Sequence, residues 1–119
     1  MKTYHGNCHC GAISFLFEHD EIREGVRCNC SLCKRKAAVM SPFTIKPEAL
    51  NIDVKDENLG CYQFGSKIAR HYYCKRCGIY PFHQTLRAPD EYRVNLGCID
   101  DIDIFELDIR VIDGKSLPD

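Results

Sequence analysis

Along this chain apolar and polar positions change places every second residue. Ile13, Phe15 and Phe17 alternate with Ser14 and Leu16, and Phe105, Leu107, Ile109 and Val111 alternate with Glu106, Asp108 and Arg110. A period of two places each apolar set on one face of an extended segment, so both stretches are predicted as β-strands. Further extended segments are expected over 38–45, 59–64, 69–73 and 92–99, the last with Tyr92, Val94, Leu96 and Cys98 on a common face. The only helical signal is KPEAL, where Pro47 can open a single turn before Asn51, so no long helix is expected. Turns fall where Gly, Asn and Asp gather, at 56–58, at Gly65-Ser66, at 88–90 and at Asp113-Gly114. Together these signals predict an all-β unit that carries its function on loops.

Length and charge narrow the function. The chain has 119 residues, enough for one modest core, so residues 1–119 are expected to form a single domain. Sixteen Lys and Arg against seventeen Asp and Glu give a formal charge of -1. That balance offers no electrostatic basis for binding nucleic acid or an anionic membrane, and a small polar or acidic molecule is the expected partner. The apolar stretch from Ala12 to Phe17 is far shorter than a membrane span and lacks the layout of a secretory signal, so the expected compartment is the cytoplasm. Reducing thiol pools there keep unbound cysteines as thiols, so nine cysteines point to metal rather than to disulfides.

Seven of the nine fall into tight groups: Cys8 and Cys10 in CHC, Cys28, Cys30 and Cys33 in CNCSLC, and Cys74 and Cys77 in CKRCG. Zinc takes four thiolates, and near neighbours reach one ion when the backbone turns sharply, as around Gly78, or when residues i and i+2 leave the same strand face, as expected for Cys8 and Cys10. Joining either pair to the triplet gives five thiolates, one too many. Joining pair to pair gives four and leaves three. Four protein ligands make a closed structural site, and three leave one corner open, the usual layout of a catalytic zinc. Alternatives stay open: the triplet could be completed by His9, His71 or His83, or hold no ion, and the pairs could be buried free thiols. Cys61 and Cys98 lie in strand patterns and read as core residues.

The segments GNCHCGAISF, CNCSLCKRK and HYYCKRCGIYPF, in this order and spacing, resemble the glutathione-dependent formaldehyde-activating enzyme family, whose domain is shared with centromere protein V. The resemblance runs from about residue 4 to Asp101. It implies a β-tent fold of the Mss4-like kind built around a structural zinc. It also implies that Cys8, Cys10, Cys74 and Cys77 hold that ion, while Cys28, Cys30 and Cys33 hold a second, catalytic zinc. The implied activity is of the carbon–sulfur lyase class, condensing formaldehyde with glutathione to S-hydroxymethylglutathione. Asn29 and Ala37-Ala38 depart from residues the family often carries and are expected to line the pocket.

Three thiolates offset the two charges of zinc and leave the complex near -1, a poor Lewis acid toward water. A thiol is the better fourth ligand: bound there it loses its proton, stays nucleophilic, and can attack an aldehyde held nearby. Lys34 and Arg35, with Lys36 beside them, are candidates to offset the added charge or grip the carboxylates of a glutathione-like thiol. His71 and His83 flank the CKRCG knuckle without a clear assignment as bases, and Asp100 and Asp101 read as turn residues. Two other readings compete. A non-catalytic zinc-binding interaction module would have two closed four-ligand sites, and a methionine sulfoxide reductase would need Cys98 as its reactive thiol.

Overall fold

The computed structural model describes residues 1–116. Among the described residues, nine strands, one short helix and several 3-10 turns make an all-β architecture of three sheets. β1 (Lys2–Asn7), β2 (Ile13–His19) and β4 (Asn51–Val54) form an antiparallel sheet in the order β1-β2-β4. β3 (Glu24–Cys28) pairs in parallel with β9 (Asp108–Ile112), and α1 (Ser31–Lys36) follows β3. The third sheet is an antiparallel meander of β5 (Leu59–Tyr62), β6 (Arg70–Cys74), β7 (Phe82–Gln84) and β8 (Tyr92–Val94).

The period-two signal works where the inward residues are large. Ile13, Phe15 and Phe17 are all buried, as the alternation requires. β1 carries no such signal because one of its two inward positions is Gly6. Gly6 faces Phe15 across the ladder, and a Cβ there would lie 2.2 Å from the Phe15 ring, so the ring fills the space a side chain would take. Gly60 and Tyr73 repeat this device on β5 and β6 at 2.3 Å.

Four expected strands are cut short, 59–64 by only its last two residues, and polar side chains explain two of the other three. The Asn95 side chain accepts the Gly97 N–H at 2.9 Å, which turns Leu96–Cys98 into a 3-10 turn and ends β8 at Val94. The Asp103 carboxylate accepts the Phe105 N–H at 3.0 Å and winds Ile104–Glu106 likewise. Such side-chain bonds to the backbone two residues on compete with strand ladders. The phase slips as a result: Ile104 and Leu107 pack on the core, while Phe105 is 91% exposed and Val111 65%. Residues 38–45 form no continuous ladder: isolated bridges at Met40 and Ile45, with the Ser41 N–H donating to the Val94 carbonyl and the Leu96 N–H to that of Val39, link β3 to β8 and the turn after it. The KPEAL turn is present as a 3-10 turn at Pro47–Ala49. α1 was not signalled, since its six residues are too few for a helical period.

One cluster of buried side chains joins the first and third sheets. Phe15 meets Phe82 edge to face at 6.1 Å, and Phe82 meets Tyr72 and Tyr92 at 5.4 and 5.5 Å. Phe82, Tyr72 and Tyr92 thus use one face of the meander for packing. By the ladder registers the other face carries the cross-strand row Tyr62, His71, His83 and Arg93, one residue from each strand.

Phe82→Ala removes a side chain that is 0% exposed and should lower stability by about 3–5 kcal/mol, whereas Phe105→Ala should change it by less than about 0.5 kcal/mol. Urea unfolding of the two metal-loaded variants measures the contrast.

Candidate metal centres

Cys8 follows β1 in a turn closed by the Gly11 N–H, which donates to the Cys8 carbonyl at 3.2 Å. Cys74 ends β6, and the Gly78 N–H donates to its carbonyl at 2.8 Å. Gly11 and Gly78 have φ of +84° and +81°, and a Cβ at either would meet nothing within 4 Å, so it is the left-handed backbone that calls for glycine there. Cys8 and Cys10 therefore converge through a turn, not through the expected strand face. Backbone N–H groups point at the sulfurs, Ile13 to Cys8 Sγ at 3.3 Å and Cys77 to Cys74 Sγ at 3.5 Å.

The four sulfurs of Cys8, Cys10, Cys74 and Cys77 lie within 4.8 Å of one another. The Cys8–Cys10 and Cys10–Cys74 separations are 3.7 and 3.6 Å. A tetrahedron with metal–sulfur bonds of about 2.3 Å has edges of about 3.8 Å, so this spacing fits zinc. The thiols also split in acidity. At Cys77 burial opposes ionisation, but N–H groups of Ile79 and Cys10 and the neighbouring sulfurs bring it down to about 6. At Cys10 the Ala12 N–H favours the thiolate, yet burial and its three sulfur neighbours push it up to about 11. Neighbouring thiolates repel, and a divalent cation is the group that lets all four ionise together.

The second cluster is built around a strand-to-helix turn. Cys28 ends β3, Cys30 caps α1 by accepting the Cys33 N–H on its sulfur at 3.4 Å, and Cys33 lies in the first helical turn. Their sulfurs also lie within 4.8 Å of one another, and among the described residues no histidine, carboxylate or further cysteine joins them. Burial pushes the Cys33 thiol up to about 12, with Lys36 opposing and Cys30 and Cys28 adding to the rise. Ala37 ends the helix with φ of 56°, and its N–H returns to the Cys33 carbonyl at 3.0 Å.

The parallel pairing of β3 with β9 brings the end of the described chain under this cluster. The Asn29 side-chain N–H donates to Asp113 at 3.0 Å, and its carbonyl accepts the Lys115 N–H at 2.9 Å. Asn29 thus holds the Asp113-Gly114 turn rather than lining an open pocket. A Cβ at Gly114 would stand 2.1 Å from Cys28 Sγ, so only glycine lets the turn pass this close.

The three basic residues after Cys33 go different ways. Lys34 is exposed, and Arg35 folds back to donate to the carbonyl and hydroxyl oxygens of Ser31 at 2.9 and 2.8 Å. Lys36 turns inward: its Nζ is 3.1 Å from His83 Nδ1 and 3.8 Å from the centroid of the Tyr80 ring. The Tyr80 hydroxyl sits between His83 Nδ1 at 2.6 Å and His71 Nδ1 at 2.7 Å. Burial, then the Lys36 charge, pushes His71 down to about 4 and holds His83 well below its usual value, so both rings are neutral. Burial raises Tyr80 far above the usual phenol range, and the charges of Cys33 and Cys30 raise it further.

Neither His71 nor His83 is a ligand of the triplet, and His9 is exposed in the first knuckle. Tyr80 was missed because a tyrosine beside Pro81 and Phe82 reads as core; its flanking histidines were the only signal. Asp100 and Asp101 are exposed turn residues as expected. Cys61 is exposed, contrary to its core reading, because it follows Gly60 on the outer strand of the meander. Cys98 is buried, and burial pushes its thiol up to about 12, the chemistry of a core residue and not of a reductase nucleophile.

Residues 3–111 match the family model described as glutathione-dependent formaldehyde-activating enzyme. The fold is similar to the crystal structure of a Rhodobacter sphaeroides protein, with a TM-score of 0.76 and 34% identity, covering 89% of this chain and 99% of that one.

Gly114→Ala should displace either Cys28 or the turn and cost the second cluster its metal while sparing the first. Metal analysis of the purified variant should then fall from two ions per chain to one. NMR titration should find the His71 ring neutral until the pH approaches about 4.

Proposed function

Because the chain belongs to the glutathione-dependent formaldehyde-activating enzyme family, we propose that it is a zinc-dependent enzyme of the carbon–sulfur lyase kind that joins a thiol such as glutathione to formaldehyde or a similar aldehyde. The observation that carries this reading is the triplet Cys28, Cys30 and Cys33, which no fourth metal-ligating side chain joins among the described residues. The closed reading of an interaction module asks for that fourth ligand, and of the histidines named for it His71 and His83 are engaged with Tyr80 while His9 lies in the first knuckle.

In this reading Cys8, Cys10, Cys74 and Cys77 hold a structural zinc, and the β-tent grouping of Mss4-like proteins is built around it. Cys28, Cys30 and Cys33 hold the catalytic ion, which when bound offers a fourth position where a thiol sulfur ionises at neutral pH. The chain supplies the rest. Backbone N–H groups and the helix start stabilise the thiolates, and the turn at Gly114 packs against Cys28 so that the triplet keeps its shape. Lys34, exposed at the rim, is available to a ligand carboxylate, whereas Arg35 must leave Ser31 to do the same. A cytoplasmic setting, where glutathione is abundant, suits this chemistry.

Replacing the metal with cobalt and titrating with glutathione tests the proposal. Millimolar glutathione should change the visible absorption of one of the two cobalt ions, as a fourth sulfur enters its shell. Spectra that stay constant would count against the open corner.

A further inference from the structure

Lys36 carries three N–H donors, and the fold occupies two of its sides. His83 Nδ1 lies 3.1 Å from Nζ, and the face of Tyr80 lies 3.8 Å away. His83 is 6% exposed, and its Nε2 has no partner. An ammonium can only donate, so the neutral ring is assigned as acceptor at Nδ1, its one lone pair shared between Lys36 and the Tyr80 hydroxyl, and its proton lies on Nε2, a buried N–H without an acceptor. Buried polar groups are almost always satisfied, so an unpaired one calls for an explanation.

The holding extends further along the meander. With Nδ1 of His83 as acceptor, the Tyr80 hydroxyl donates to it and in turn accepts from His71 Nδ1–H at 2.7 Å. His71 and His83 face each other on β6 and β7, so the relay is fixed by strand pairing rather than by a loop. Phe64 stacks on His71 at 5.7 Å and closes the outer side. Lys36 itself stands three residues beyond Cys33 on α1, which puts the two on neighbouring positions of one helix face. Its remaining N–H side is turned toward the Cys33 sulfur; burial lowers the Lys36 pKa, and the charges and hydrogen bonding of Cys33, then Cys30 and Cys28, work against that fall and favour the ammonium.

We propose that Lys36, locked between His83 and Tyr80, binds the oxygen of the aldehyde and holds the negative charge that forms there when the thiol sulfur adds to the carbonyl carbon. This rests on the thiol–aldehyde reading above and adds the group that serves the oxygen. The sulfur lone pair forms the C–S bond, the C=O π pair moves onto oxygen, and that oxygen then takes up, through solvent, the proton the thiol released on ionising. Lys36 keeps its own proton and contributes a hydrogen bond and a charge that strengthens as the alkoxide forms. His83 and Tyr80 are positioning residues. Lys34 and Arg35, the basic residues exposed beside it, lack such a clamp.

The test compares two stable thiols of equal length on the cobalt-substituted protein: 2-mercaptoethanol, whose hydroxyl lies one bond further from sulfur than the adduct oxygen, and 1-propanethiol, which has none. Visible spectra report the affinity of each. The native chain should favour 2-mercaptoethanol by about tenfold, and Lys36→Met should abolish that preference while keeping two metals per chain. With glutathione and formaldehyde the same variant should lose about 100-fold in turnover, the size expected on removing one oxyanion donor. Equal preferences in the two proteins would overturn the proposal. Loss of the second metal in Lys36→Met would also overturn it, by assigning Lys36 to the cluster's stability. If neither thiol altered the native spectrum, the thiol–aldehyde reading itself would fail, an outcome distinct from an unchanged preference.

Discussion

Crowded sulfur is the constraint on which this structure turns. Four cysteine sulfurs within 4.8 Å of one another, and three more gathered as closely elsewhere, cannot all carry negative charge without a cation among them. The backbone is shaped to bring them together regardless. Left-handed glycines at 11 and 78 close two knuckles, and Gly114 yields its side-chain space to Cys28. The first cluster ties the start of the β1-β2-β4 sheet to β6 of the meander, and the second ties the β3-β9 pair to α1.

The meander gives the molecule two unlike surfaces from one set of strands. One face buries Phe82 against Phe15, with half-buried Tyr72 packed on Phe82, so its geometry is fixed by close packing. The other carries His71 and His83 in register, and that rigidity passes to Tyr80 and Lys36. Chemistry placed on a well-packed strand row is held more tightly than chemistry on a loop. The triplet, by contrast, sits where a strand gives way to a helix and where the returning chain is held by Asn29.

Local spacing made the metal chemistry legible. Cysteines two or three residues apart can share an ion whatever the rest of the fold does, so the division into four and three needed only arithmetic and agrees with both clusters. Strands with large inward residues, such as β2, were legible for the same local reason. β1 and β3 were not, because glycines at 6 and 25 occupy inward positions and erase the alternation. Asn95 and Asp103 broke expected strands through bonds to the backbone two residues on, a signal that alternation overrides on paper. The Lys36, Tyr80 and His83 group was beyond reach, since it depends on cross-strand register and on which way each basic side chain leaves a short helix. Among Lys34, Arg35 and Lys36 the sequence offered no ground for preferring the last.

A diffraction study at the zinc absorption edge of crystals grown with zinc and soaked with glutathione bears most directly on the open corner. The expected map has one ion bound by Cys8, Cys10, Cys74 and Cys77, and a second at about 2.3 Å from Cys28, Cys30 and Cys33 with the glutathione sulfur as its only other ligand. A second ion whose fourth ligand is an atom of the polypeptide, or a triplet without any ion at saturating zinc, would contradict it.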